Sequence, residues 1–141
     1  MLKHKFITEY EFEYDSEQIF PYLTVEGLGK WFAEKISPLE DKTYDMVWDR
    51  ASHVAKIIAF RENSYIKYQF HEKDEKRDFS YIDFRLSKNQ LTETIFLKIT
   101  DYSDMTDEKE LHKLWDMLIH ELREAIEDDA EWEYPTRREI V

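Results

Sequence analysis

Between Thr106 and about Asp129, apolar side chains recur at spacings of three and four: Leu111, Leu114, Trp115, Leu118, Ile119, Leu122, Ala125 and Ile126. That period predicts one long α-helix with a single apolar stripe. At about 100° per residue the eight side chains fall within an arc of roughly 140°, leaving His112, Asp116, His120 and Glu127 outside it. One face of the helix must therefore be covered. Asp107 followed by Glu110, just after the turn-prone Tyr102-Ser103-Asp104, supplies an N-terminal cap and acidic side chains at the positive end of the helix dipole.

Upstream of this helix the period is mostly two. Phe6, Thr8, Tyr10, Phe12 and Tyr14 alternate with Lys5, Ile7, Glu9, Glu11 and Glu13, which predicts a strand with one buried face. Asp15, with Gln18 three residues on, opens a short helix whose apolar face is Ile19, Phe20 and Leu23, and Pro21 sits in its first turns. A second short helix is expected from Glu26 to Ala33, with Gly27 and Gly29 turning the backbone at its start. Ser37-Pro38 ends that region. Strands then follow from about Lys42, from Ser52 to Phe60, from Tyr65 to His71 and from Asp78 to Leu86. A last strand places Leu91, Ile95, Leu97 and Ile99 on one face, and the charged run from Glu72 to Asp78 reads as a solvated hairpin end. Connections this short make the strands antiparallel neighbours, because a parallel pair needs a crossover of a dozen residues or more. The expected fold class is α+β: a six-stranded antiparallel sheet covered on one face by the long helix, with two short helices after the first strand. Residues 1–129 form this domain, and 130–141 are read as an acidic and aromatic tail.

Composition narrows the picture. At 141 residues one core is expected, and 16% aromatic residues make it a well-filled one despite 37% charged residues. With no cysteine, thiol nucleophiles, disulfides and thiolate metal sites are excluded. There is no long uncharged apolar run and no signal-peptide pattern after Met1, so a cytoplasmic protein without membrane insertion is expected. The net charge of −12 is unevenly placed: from Asp101 to Glu133, 13 acidic residues stand against Lys109, Lys113 and Arg123. Such a surface repels phosphate backbones, which argues against a nucleic-acid partner. It serves solubility, or it presents an acidic helix face to a basic protein partner.

The order of elements, with three local strings, resembles the START-like or SRPBCC superfamily. The strings are Tyr-Asp-Ser-Glu-Gln-Ile-Phe-Pro-Tyr-Leu-Thr at 14–24, Gly-Lys-Trp-Phe at 29–32 and Leu-x-x-Leu-Trp-x-x-Leu at 111–118. The first two look most like the branch related to the activator of the heat-shock chaperone ATPase. Similarity runs from Lys3 to Asp129. The segment between Lys35 and Tyr44 departs from the pattern in lacking the glycines that often begin the second strand, and the tail after Asp129 is extra. The resemblance implies a curved sheet gripping the C-terminal helix and a cavity between them, used in the superfamily for lipids, sterols and other apolar molecules. It also implies that cyclases and non-catalytic chaperone regulators are among the relatives, and fold alone does not choose among them.

Trp31, Phe32, Trp48, Tyr68, Phe70, Phe84 and Trp115 are the bulky residues expected to meet between sheet and helix, either lining a pocket or filling it. Glu93 interrupts the apolar face of the last strand. Pointing inward it would fix a polar ligand group or act as a base; pointing outward it is a solvated carboxylate. His112, Asp116 and His120 step along the helix by fours, but they rotate toward the polar side and lack the spacing of a metal site. His53 and His71 stand isolated and are expected as surface or edge-strand residues. No nucleophile triad or glycine-rich phosphate loop is present, no cofactor or metal is expected, and an enzymatic role rests on fold analogy alone. The reading favoured is binding of a small apolar or amphipathic molecule or lipid. The alternative is a protein-interaction module of the chaperone-regulator kind, using the acidic helix face and the tail around Trp132 and Tyr134. That tail folds back on its own domain or covers a neighbour in a homodimer. A cyclase or hydrolase is the third reading.

Overall fold

A computed structural model describes residues 2–71 and 78–140, with side chains described through residue 130. The charged run 72–77 and the side chains of Trp132 and Tyr134 lie outside the described residues.

Alternation of Phe6 and Phe12 with exposed Lys5, Ile7 and Glu9 forms the first strand, β1 (His4–Phe12). The backbone N–H of Asp15 donates to Gln18 Oε1 at 3.0 Å and starts α1 (Ser16–Ile19), which continues as a 3₁₀ turn, Phe20–Leu23, and then α2 (Val25–Leu28). Strands follow as β2 (Lys35–Pro38), β3 (Thr43–Trp48), β4 (Ala51–Arg61), β5 (Tyr65–Phe70), β6 (Tyr81–Lys88) and β7 (Ile95–Ser103). The last element is α3 (Glu108–Ile140), whose backbone continues past Asp129.

Every strand pairing is antiparallel, in the order β1-β7-β6-β5-β4-β3-β2. The sheet has seven strands where the periodicity predicts six. The extra strand is β2, four residues at the sheet edge, where Pro38 needs no ladder donor. The second short helix stops at Leu28, and Gly29–Ala33 instead wind in tight turns that carry Trp31 and Phe32. The last strand starts at Ile95, and Leu91, 95% exposed, belongs to the turn before it. A bulge at Ile57/Ala59 bends β4, which lets the sheet curl over the helix.

The predicted stripe of α3 is its buried face: Leu111, Trp115, Ile119, Leu122 and Ile126 are buried, and Leu114, Leu118 and Ala125 are half-buried. They pack on Phe6, Phe12, Ile66, Tyr68, Phe84, Leu97 and Ile99 from the concave face of the sheet. Each such side chain contributes about 1.5–3 kcal/mol on burial, so this layer supplies most of the fold's cohesion. Asp107 Oδ1 accepts from the backbone N–H groups of Lys109 (3.0 Å) and Glu110 (3.3 Å), as a cap should. Polar clamps hold the rest of α3. The Tyr10 hydroxyl donates to Asp116 Oδ1 at 2.7 Å, Arg123 donates to the Glu11 carbonyl at 2.7 Å, and Asp129 takes both Tyr22 and Lys30. Tyr22, then Lys30, lowers the Asp129 carboxyl below its ordinary range.

Two aromatic hydrogen bonds fix the short helices, one to the sheet and one to the turns that follow α2. Buried Tyr68 donates its hydroxyl to the Leu23 carbonyl at 2.6 Å, and Trp31 Nε1 donates to the Tyr22 carbonyl at 2.7 Å. No helix among the described residues is long and apolar enough to cross a membrane.

Candidate functional site

Where the sheet curls away from the N-terminal half of α3, the two layers do not fully close. A cleft of about 1050 Å³ opens there. Its walls are the turns after α2, the ends of β3 and β7, the inner faces of β4 to β6, and Glu110 through Glu121 of α3. The rings interlock. Phe32 stacks along Trp115 with centroids 6.1 Å apart and meets Trp48 edge-on at 5.3 Å, while Phe70 meets Trp48 edge-on at 5.7 Å. Edge-on and offset contacts of this kind hold large rings in fixed orientation.

Five of the eight residues singled out from sequence line this cleft: Trp31, Phe32, Trp48, Phe70 and Trp115. Tyr68 and Phe84 lie behind it in the core. Phe84 is fully buried and touches Trp31, Phe32, Tyr68 and Trp115, so it backs the wall without forming it. Large aromatics thus both line and fill, on opposite sides of one layer. Glu93 is not brought to the cleft. It sits exposed in the β6–β7 turn with φ 62°, a left-handed position that directs it to solvent. His53 is not a free surface residue; it lines the cleft and stacks on Trp48 at 3.8 Å. His112, Asp116 and His120 are exposed, and His120 pairs with Glu124 at 3.1 Å. Among the described residues no three His, Cys, Asp or Glu side chains converge as a metal site.

Sequence reading missed Asp101. It is the buried charged residue of the described core, 7% exposed, and it lines the cleft. Its neighbours across the sheet are Phe6 of β1 and Ile82 of β6, both buried. Trp115 Nε1 donates to Asp101 Oδ2 at 2.9 Å, tying the central ring of α3 to the end of β7. Phase could have found it, since Asp101 continues the inward series Ile95, Leu97, Ile99. Its charge and the acidic residues that follow disguised it as part of the helix surface.

Burial pushes the Asp101 carboxyl above the usual carboxylate range, opposed by hydrogen bonds from Trp115 and Ser103 and by the nearby His4. A carboxyl that the folded state raises in this way makes ionisation costly to stability. The penalty is absent below the unfolded value of about 3.9, grows as pH rises toward the folded value, and is complete above it. Asp101→Asn keeps an acceptor for Trp115 and removes the ionisation. It is therefore expected to be more stable than the parent at neutral pH, with the two converging near pH 4. Denaturant midpoints measured across that range test this; a difference that does not change with pH would show that ionisation is not its cause.

An antiparallel sheet curled over a C-terminal helix, with an aromatic cleft at one end of their contact, defines a helix-grip domain. The chain belongs to the START-like superfamily: the model of the START-like superfamily domain matches residues 1–128. Among solved structures, the Aha1 dimer from Colwellia psychrerythraea superposes with a TM-score of 0.70 at 18% identity, covering 87% of this chain and 96% of that one. A Bacteroides fragilis protein solved by NMR is 31% identical with a TM-score of 0.59, covering 89% of this chain and 92% of its own. CalU16 from Micromonospora echinospora, 15% identical, covers 98% of this chain and 85% of its own with a TM-score of 0.63. No curated protein matches the chain.

Proposed function

We propose that this domain binds a small apolar or amphipathic molecule in the cleft between sheet and α3, without chemistry on it. The observation that carries this reading is a cleft of about 1050 Å³ walled by fixed aromatic rings and holding a single deeply buried carboxyl. Apolar walls with a few placed polar groups are the usual make-up of a small-molecule site. The START-like membership supports it, since the fold family serves ligand binding and protein interaction.

The neutral fluorophore N-phenyl-naphthylamine tests the reading directly. It should bind saturably, one per chain, with energy transfer from the tryptophans. Leu118→Trp, at a half-buried cleft position on α3, should block the space and abolish the signal while leaving thermal stability close to the parent's. Absence of binding by the parent, or equal binding by the blocked variant, sinks the proposal.

A second reading, a protein-interaction module, is favoured by the outer face of α3, where Glu124, Glu127 and Asp128 are exposed beside Met117. A partner with a basic groove fits that face. A homodimer, as in the Aha1 neighbour, is the form of this reading that needs no second protein. Light scattering of the full chain separates it from the monomeric carrier.

A further inference from the structure

The cleft has a sign. Six carboxylic side chains line it against two lysines, and one of the six, Asp104, is held from behind by Lys3 at 3.9 Å. Both lysines are drawn to carboxylates, Lys30 to Asp129 at 2.9 Å and Lys113 to Glu110 at 3.8 Å. An anionic head group entering here would have to compete for them. Asp101 lies on the cleft floor, and Glu34, Asp49 and Glu121 stand on the exposed rim. Between floor and rim are the rings of Phe32, Trp48 and Trp115, stacked on one another or on His53 as an apolar wall.

Resting on the binding reading above, we propose that the ligand is a cationic amphiphile whose ammonium-type head goes down to Asp101, with its apolar tail along the aromatic rings toward the mouth and the acidic rim steering it in. Shape and charge then agree. The apolar walls supply non-directional affinity, while the buried carboxyl, with water mostly excluded, discriminates by charge far more sharply than a surface acid does. A bound cation also stabilises the ionised form of Asp101, offsetting what its burial costs. The rim contributes a screened, longer-range attraction that weakens with salt, whereas the contribution of Asp101 does so much less.

The test uses the full chain and three probes with the same tail: decyltrimethylammonium, decanol and decanoate, each titrated calorimetrically below its aggregation concentration at low ionic strength. The cation is expected to bind roughly tenfold or more tightly than decanoate, with decanol between them. Asp101→Asn should reduce that preference severalfold. So should the rim pair Asp49→Asn with Glu121→Gln, both exposed positions at which the fold is not at stake, and Asn is well tolerated at the φ of 52° found for Asp49. Decanol or decanoate binding as tightly as the cation overturns the charge assignment and leaves the cleft reading standing. A preference untouched by both variants also overturns it. No binding by any of the three probes removes this proposal and the binding reading together.

Discussion

Gly27→Ala is expected to destabilise the domain by roughly 4 kcal/mol or more, at the far end of single-substitution effects. The reason is a close backbone approach. A β-carbon built on Gly27 would lie 2.3 Å from both the Pro21 carbonyl oxygen and the Tyr22 α-carbon. Neither atom belongs to a side chain that can swing away, so α2 or the 3₁₀ turn must move bodily. The movement would reach the Tyr22 and Leu23 carbonyls, which accept from Trp31 and Tyr68, and so would loosen one wall of the cleft. Gly29 supplies the control two residues away. Nothing lies within 4 Å of a β-carbon there, and its φ of −67° suits any residue. Gly29→Ala should be neutral or stabilise by about 0.4–1 kcal/mol through the unfolded chain. Chemical denaturation of the two variants side by side decides the matter: similar midpoints would mean that the backbone relaxes around the methyl group added at Gly27 at little cost.

Trp115→Phe is expected to cost about 3 kcal/mol. It removes the indole N–H that Asp101 Oδ2 accepts at 2.9 Å, and a hydrogen bond to a charged group contributes about 1.5–3 kcal/mol. The smaller ring adds a void against Phe32 and Phe84. Losing the donor strands a carboxyl that is already raised by burial, so the cost should be partly recovered by removing the charge as well. The double variant Trp115→Phe with Asp101→Asn should therefore be less damaged than the sum of its parts. Strict additivity of the two changes would show that the pair is merely adjacent and not energetically coupled.

The strand and helix periods were readable because each strong element buries only one face. Phe6 and Phe12 on β1, Ile82 and Phe84 on β6, and the stripe from Leu111 to Ile126 on α3 all stand in phase with an exposed partner face. The edge strand β2 was not legible, because four residues ending in Ser37-Pro38 carry too short a pattern and owe their extended form to pairing with β3. Gly27 read as a turning residue, since a sequence does not show that another backbone passes 2.3 Å from where its side chain would be. The site was half visible. Aromatic size picked out Trp31, Phe32, Trp48, Phe70 and Trp115, but it could not separate the rings that line the cleft from Tyr68 and Phe84 behind them. Glu93 and Asp101 show the limit of charge as a clue. Both interrupt or extend an apolar series near a strand end; Asp101 stays in phase with Ile95, Leu97 and Ile99 and pairs with buried Phe6 and Ile82, while a left-handed turn sends Glu93 out.

The position of β7 between β1 and β6 has a consequence for how the chain is born. Phe12 pairs with Ile95 and His4 with Ser103, so β1 meets β7, its sheet neighbour among the described residues, after some ninety further residues have been made. Until then β1 and its buried phenylalanines have nothing to pair with, while the hairpins from β3 to β6 can already form locally. Closing so long a loop delays the last step of sheet assembly, and α3 follows later still. During synthesis the nascent chain therefore carries β1 as an apolar, unpaired strand, and the native state of the domain is reached as a whole only after β7 and α3 have emerged.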